Sequence, residues 1–299
     1  MERPALHDLG SNKMNSVTIK SEVDSSKYIE EVVRNSGSSF YWAMRNLPKN
    51  KRLAMFAIYA FCREVDDLAD EVGKKEEKLY GLRQWRDEIE QMFCGRPRIA
   101  ICQALMGPVK EFNLKKDDFY AVIDGMEMDA LDSIRILDMD ELILYCDRVA
   151  CAVGRLSVKV FGLDDKVGTD LAFEQGLALQ LTNILRDLDE DARSDRLYIP
   201  RELLESSGIT GDDLSAILNH TKFEKVCENI SNIAEKHFYR ADQLVAGCDK
   251  KLIRPAIMML EVYRSILQKL KRRGWKDLSS PVGLSRFQKL FIAFRYGFF

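Results

Sequence analysis

Two short stretches of this 299-residue sequence hold residues that can do chemistry together. The first is Tyr59-x-x-x-Arg63-x-x-Asp66-Asp67-x-x-Asp70. On a helix turning about 100° per residue, Tyr59, Arg63, Asp66 and Asp70 fall within an arc of roughly 60°, so they form one stripe. The second is Gln180-x-x-Asn183-x-x-Arg186-Asp187-x-x-x-Asp191. There Gln180, Asn183, Asp187 and Asp191 span roughly 80° of the helix surface. Carboxylates one turn apart repel each other, and burying them without a counter-charge is costly. A hard divalent cation removes the conflict: Mg²⁺ takes oxygen ligands, keeps several waters, and is held by one or two carboxylates together with substrate phosphates. The stripes therefore predict a Mg²⁺–phosphate site in preference to a general acid/base pair. Arg63 and Arg186, with Arg193 and Arg196 just beyond, supply cations for the remaining phosphate charge.

Acidic pairs at four-residue spacing also line many solvated helix faces. Three features set these apart. They lie at the ends of the two most apolar helices of the chain, Leu53–Asp70 and Lys166–Asp191; further polar residues stand in phase with the acids; and the pattern occurs twice. A helix that is apolar nearly all round belongs at the centre of a bundle.

The rest of the chain is built to surround such helices. Apolar residues recur at three- and four-residue spacing over Glu76–Phe93, Asp117–Leu131, Asp140–Phe161, Phe223–Val245 and Leu252–Arg273. Turn signals separate them at 47–50, Gly95–Pro97, Gly162–Asp165 and Gly247–Asp249. Only 17 Gly and 7 Pro punctuate the sequence, too few for a fold of many short strands, and no strand alternation stands out. The expected class is all-α: a tail over residues 1–25 and one helical domain over 26–299.

With 45 Lys+Arg against 47 Asp+Glu, the near-neutral balance excludes a generally basic nucleic-acid binder. The three histidines and seven scattered cysteines show no zinc-like spacing and no disulfide framework, which predicts a reducing, cytoplasmic compartment. No stretch is apolar enough to span a bilayer.

These segments resemble the squalene/phytoene synthase family. The matching pieces are Ser38–Tyr41, the Tyr59–Asp70 stripe, Gly125-Met-Glu-Met-Asp129, Tyr145-Cys146-x-x-Val149-Ala150 and, most specific, the run from Gln180 to Pro200. The resemblance covers about residues 28–275 in order and spacing. It implies an isoprenoid synthase fold with a central cavity, and head-to-head condensation of two allylic diphosphates through a cyclopropyl intermediate. It implies Mg²⁺, with Mn²⁺ as a substitute, bound by Asp66 and Asp70 on one side and by Asn183, Asp187 and Asp191 on the other. Tyr59, Arg63, Gln180 and Arg186 would contact diphosphate. Ser36, Ser39 and Phe40 would lie near the entrance, Arg193, Arg196 and Tyr198 along the second motif, and Tyr263 near the second substrate. Phe40, Tyr41 and Phe61 are candidates for steadying an allylic cation, although core packing is the commoner role for such rings.

Within the family the chain looks most like the bacterial members of the hopanoid route that form presqualene diphosphate from two farnesyl diphosphates. Relatives that go on to squalene or carotenoids usually carry a second tyrosine just after the Tyr-Cys pair. Asp147 and Arg148 stand there instead, which favours stopping at the cyclopropyl diphosphate, and Cys151 replaces a family glycine. NADPH is then not expected. Phytoene or dehydrosqualene synthesis, or a squalene synthase completing the NADPH step, are the alternatives. A non-catalytic assembly factor would have eroded acid motifs, and both are intact. The aromatic C-terminal stretch, 287–299, is read as a docked terminal helix, with peripheral contact at the inner membrane face as the alternative. A downstream squalene-pathway enzyme is the natural partner.

Overall fold

The computed structural model describes residues 29–33, 39–71, 73–285, 288, 292 and 295. The predicted tail, Ser36, and most of the aromatic C-terminal stretch lie outside the described residues, as do the side chains of Ser39 and Phe40.

Helices account for nearly all the described structure: α1 Ser39–Met44, α2 Lys49–Asp70, α3 Lys75–Phe93, α4 Ala100–Glu111, α5 Lys116–Asp129, α6 Met139–Cys146, α7 Ala152–Phe161, α8 Asp165–Arg193, α9 Arg201–Ser206, α10 Leu214–Leu218, α11 Phe223–Ala246 and α12 Arg254–Arg273. The all-α expectation holds, and the long predicted helices fall within a few residues of these bounds. Local chemistry explains several ends. Asp164 caps α8 by accepting from the Lys166 amide at 3.0 Å, and Asp138 caps α6 through the Glu141 amide at 2.9 Å. Gly162 stops α7 in the left-handed conformation, φ 84°, which a residue with a side chain adopts only at a cost. Helix α4 escapes the periodicity because Pro108 lies inside it; α9 and α10 are too short to show a period.

Two departures matter for the site. The predicted helix over 140–161 is not continuous: a π-turn at Asp147–Cys151 joins α6 to α7. And two two-residue strands, β1 Ile134–Arg135 and β2 Arg196–Leu197, pair in parallel, Ile134 opposite Arg196. Segments this short leave no alternation to read. Their pairing ties the exit of α5 to the exit of α8.

The core has two lobes. Phe56, Phe61, Leu82, Ile89 and Phe119 fill the one built from α2, α3 and α5; Leu177, Leu181, Ile230, Phe238 and Leu267 fill the other, between α8, α11 and α12. Phe61 meets Trp85 and Phe119 edge-on, with ring centroids 5.6 and 5.2 Å away, and Tyr41 stacks on Phe56 at 5.8 Å. Phe61 is fully buried by this packing, and neither it nor Tyr41 is among the residues that line the cavity where the lobes meet. No described helix is long and apolar enough to cross a membrane.

Candidate active site at the seam of two lobes

A cavity of about 400 Å³ opens where the lobes meet, between α2, the π-turn and α7, α8, and the start of α12. Most of its wall is apolar, including Val153, Val158, Phe161, Leu179 and Met259. Its polar wall carries the predicted residues Tyr59, Asp66, Gln180, Asn183 and Tyr263. Helical phase accounts for this division. The apolar faces of α2 and α8 seal against the lobes, and the in-phase polar residues are left facing inward.

On α2, Arg63 reaches Asp66 at 3.5 Å and Asp67 at 2.5 Å, with all three side chains about half exposed. Asp66 stands in a recess crowded by protein although half its surface meets solvent. Desolvation and the neighbouring Asp70 push its pKa up to about 6 against the pull of Arg63. On α8, Arg186 grips Asp187 through both carboxylate oxygens, at 2.7 and 2.5 Å, and also bonds Tyr263, so its own pKa is held high. Asp191 is pushed up to about 7 by desolvation and then by Asp187, with Arg196 opposing.

Arg196 bonds the first stripe and lies near enough to the second to oppose the rise of Asp191. Presented by β2, it donates to Asp70 Oδ1 at 2.9 Å and to the Asp129 carbonyl at 3.1 Å. Beneath it the Asp129 carboxylate is buried and accepts from the hydroxyls of Tyr198 (2.7 Å) and Tyr145 (3.2 Å), whose rings stack at 4.6 Å. Burial lifts Asp129 to about 6, offset by Tyr198 and Arg196. Tyr198 is thus a support for this corner and does not line the cavity. Asp129 and Tyr145 lie within the family-like segments, but sequence reasoning assigns neither a role; a lone buried acid leaves no period to find it by.

Not every predicted residue arrives. Arg193 pairs with Asp189 on the outer surface, its side chain 71% exposed, and borders a separate groove beside α10. Asp147 and Arg148, where the tyrosine is missing, are not among the residues that line the cavity; Val149 and Ala150 after them are. Asp147 is bound by Arg155 at 2.6 Å, while Arg148 reaches the Met128 sulfur at 3.2 Å. Cys151 packs under Gly176.

The donors fit a hard cation. All are oxygens, and Asn183 Oδ1 is buried with no hydrogen-bond partner while its amide donates to Gln180 Oε1 at 3.3 Å. Among the described residues no three His, Cys, Asp or Glu side chains are placed to hold one ion by themselves. Each helix offers its acids separately, which leaves coordination positions for water and substrate oxygens.

The fold is an all-α bundle with an apolar cavity to which the first acidic stripe contributes Asp66 and the second Gln180 and Asn183. The chain belongs to the squalene/phytoene synthase family, whose model matches residues 33–288. It is 46% identical over 260 residues to a presqualene diphosphate synthase of Sinorhizobium fredii, covering 87% of this chain and 93% of that protein. It is 32% identical over 266 residues to the chloroplastic phytoene synthase 2 of Solanum lycopersicum, covering 87% and 86%. A crystallised dehydrosqualene synthase in complex with a ligand shares the fold at a TM-score of 0.81 and 24% identity, covering 92% and 96%.

Proposed function

We propose that this protein condenses two farnesyl diphosphates head to head into presqualene diphosphate, releasing diphosphate, in a Mg²⁺-dependent reaction. The observation that carries the reading is an apolar cavity whose polar wall holds Tyr59, Asp66, Gln180, Asn183 and Tyr263, at the point where the two acidic stripes and their arginines continue along α2 and α8 beyond it; the 46% identity to a presqualene diphosphate synthase, against 32% to a phytoene synthase, supports the product.

In this reading, the C1–O bond of one farnesyl diphosphate breaks and diphosphate leaves with the bonding pair. Asp66, Asp70, Asn183, Asp187 and Asp191 would hold Mg²⁺, which when bound would supply charge that steadies the leaving group. Arg63, Arg186 and Arg196 add donors where negative charge develops, and Tyr59, Gln180 and Tyr263 orient the oxygens. The double bond of the second substrate attacks the allylic C1, and loss of a proton to the released diphosphate closes the cyclopropane. No side chain has to act as a strong base. Val153, Val158, Phe161 and Leu179 keep water from the cation while it exists. A cytoplasmic location, peripheral contact with a membrane that delivers the substrate, and transfer of the product to a downstream squalene-pathway enzyme belong to the same reading.

Incubation with Mg²⁺ and either farnesyl or geranylgeranyl diphosphate, without NADPH, tests it. Presqualene diphosphate from the farnesyl substrate is expected; accumulation of phytoene or dehydrosqualene would overturn the assignment.

A further inference from the structure

The cavity wall between α6 and α7 is not plain helix. At the π-turn the Ala152 amide bonds back to the Asp147 carbonyl, one residue further than in an α-helix. Such turns are rare, carry an extra residue and are frequent at functional sites. This one is gripped from three sides. A Cβ on Gly125 of α5 would come within 2.6 Å of Val149 Cγ1, and one on Gly176 of α8 within 2.5 Å of Cys151 Sγ, so both helices press on the turn as closely as glycine allows. On the outside, Arg155 donates from Nε to Asp118 at 2.6 Å and from Nη1 and Nη2 to Asp147 at 2.6 and 3.3 Å. Asp118 is buried and the other two side chains are mostly so.

The turn decides what faces the cavity. With it, Val149 and Ala150 form the wall and Asp147 points outward into a charged groove bordered by Thr169, Glu174 and Arg240. Relaxing the extra residue into regular α-helix turns one side of the junction against the other by about 100°. Because adjacent residues stand about 100° apart, that swing carries one of Asp147 and Arg148, and not both, toward the space Val149 and Ala150 now line.

We propose that Arg155 is a positioning residue for the condensation: by clamping Asp147 and Asp118 it locks the π-turn, keeps the 147–148 charges out of the cavity, and so keeps water from the allylic cation. The proposal rests on the condensation reading above. A charged side chain brings hydration water with it, and an allylic cation that meets water forms a C1–O bond, releases a proton to solvent, and leaves as farnesol.

The test compares wild type with Asp147→Asn, Arg155→Met and Arg155→Lys, each given farnesyl diphosphate and Mg²⁺, measuring farnesol and condensation product per substrate consumed. The farnesol share is expected to rise several-fold in Asp147→Asn and Arg155→Met. Arg155→Lys, which keeps the charge but not the fork, should fall between them and wild type. Residues that only stabilise the fold would lower the melting temperature and the active fraction without moving this share. An unchanged share in folded Asp147→Asn and folded Arg155→Met alike would overturn the proposal; the first loosens the clamp while leaving the Arg155–Asp118 bond in place, and the second removes it. A crystal structure of Arg155→Met provides a second test: Val149 and Ala150 still in their original register would also overturn it. If wild type itself forms no condensation product, the proposed function fails instead, and the register alone decides the structural claim.

Discussion

The two acidic stripes look alike in sequence and differ in how their charge is balanced. On α2, Arg63 shares itself between Asp66 and Asp67 in half-exposed contacts, and Asp70 borrows Arg196 from the far side of the site. On α8, Asp187 has Arg186 to itself in a two-oxygen grip, each side chain about 30% exposed, while Asp191 has no ion pair among the described residues. Spacing alone therefore does not say which acid most needs a cation. Neighbours do: Asp191 rises to about 7 and Asp66 to about 6 because desolvation and the next acid along the helix outweigh the arginines. Both stripes are therefore split: on α2 the arginines are shared and leave Asp66 raised, and on α8 one acid has a close arginine and the other, among the described residues, has none.

The largest expected effect breaks either stripe. Asp66→Ala or Asp187→Ala should cost about 10²- to 10³-fold or more in turnover with a nearly unchanged helical circular dichroism signal. Near-normal activity in either variant would refute the metal assignment. The two should part in thermal stability, Asp187→Ala melting lower, because it strands a more buried arginine than the exposed Arg63 pair does.

The next effect follows pH. The Asp191 carboxyl moves from 3.8 to about 7 on folding, so between those values it is protonated in the native protein and ionised in the unfolded chain. The metal-free fold gains from this group at low pH and loses that gain as pH rises through the window, levelling above about 7; Asp66 and Asp129 act in the same direction up to about 6. Mg²⁺ binds the ionised form, so its half-saturating concentration should climb by about tenfold per unit as pH falls below 7. Titration calorimetry of Asp191→Asn should show the climb starting nearer 6, the Asp66 value; an unchanged profile would separate Asp191 from the cation.

The smallest effect concerns the two arginines that end the second motif. Arg196→Met should weaken Mg²⁺-dependent binding of inorganic pyrophosphate by about tenfold, since its side chain is 17% exposed, bonds Asp70 and acts on Asp191 through its charge. Arg193→Ala, on the outer surface, should stay within about twofold. Equal losses in both would mean that the surface position takes part in binding after all.

Much of this was legible in the sequence. Helical phase placed Tyr59, Asp66, Gln180 and Asn183 toward one space, because period 3.6 fixes direction once the apolar face is known. Phase along one helix says nothing about partners on another. Arg193 and Arg196 are three residues apart in one motif yet end on opposite sides, because the chain leaves the helix at Ser194 and turns through Asp195 at φ 56° before β2. The π-turn was hidden for a related reason: an inserted residue changes register without changing composition, so 140–161 still reads as one helix. The role of Asp129 was hidden too, since its partners come from Tyr145 and Tyr198, far along the chain.

The strand pair has a consequence in time. The helices form from near neighbours in sequence, but Arg196 meets Asp70 across 126 residues, and the two-residue ladder that delivers it joins segments that are also far apart along the chain. Contacts of that separation bear the largest loop-closure cost and form late. During refolding, most of the helix content can therefore return before Arg196 reaches Asp70.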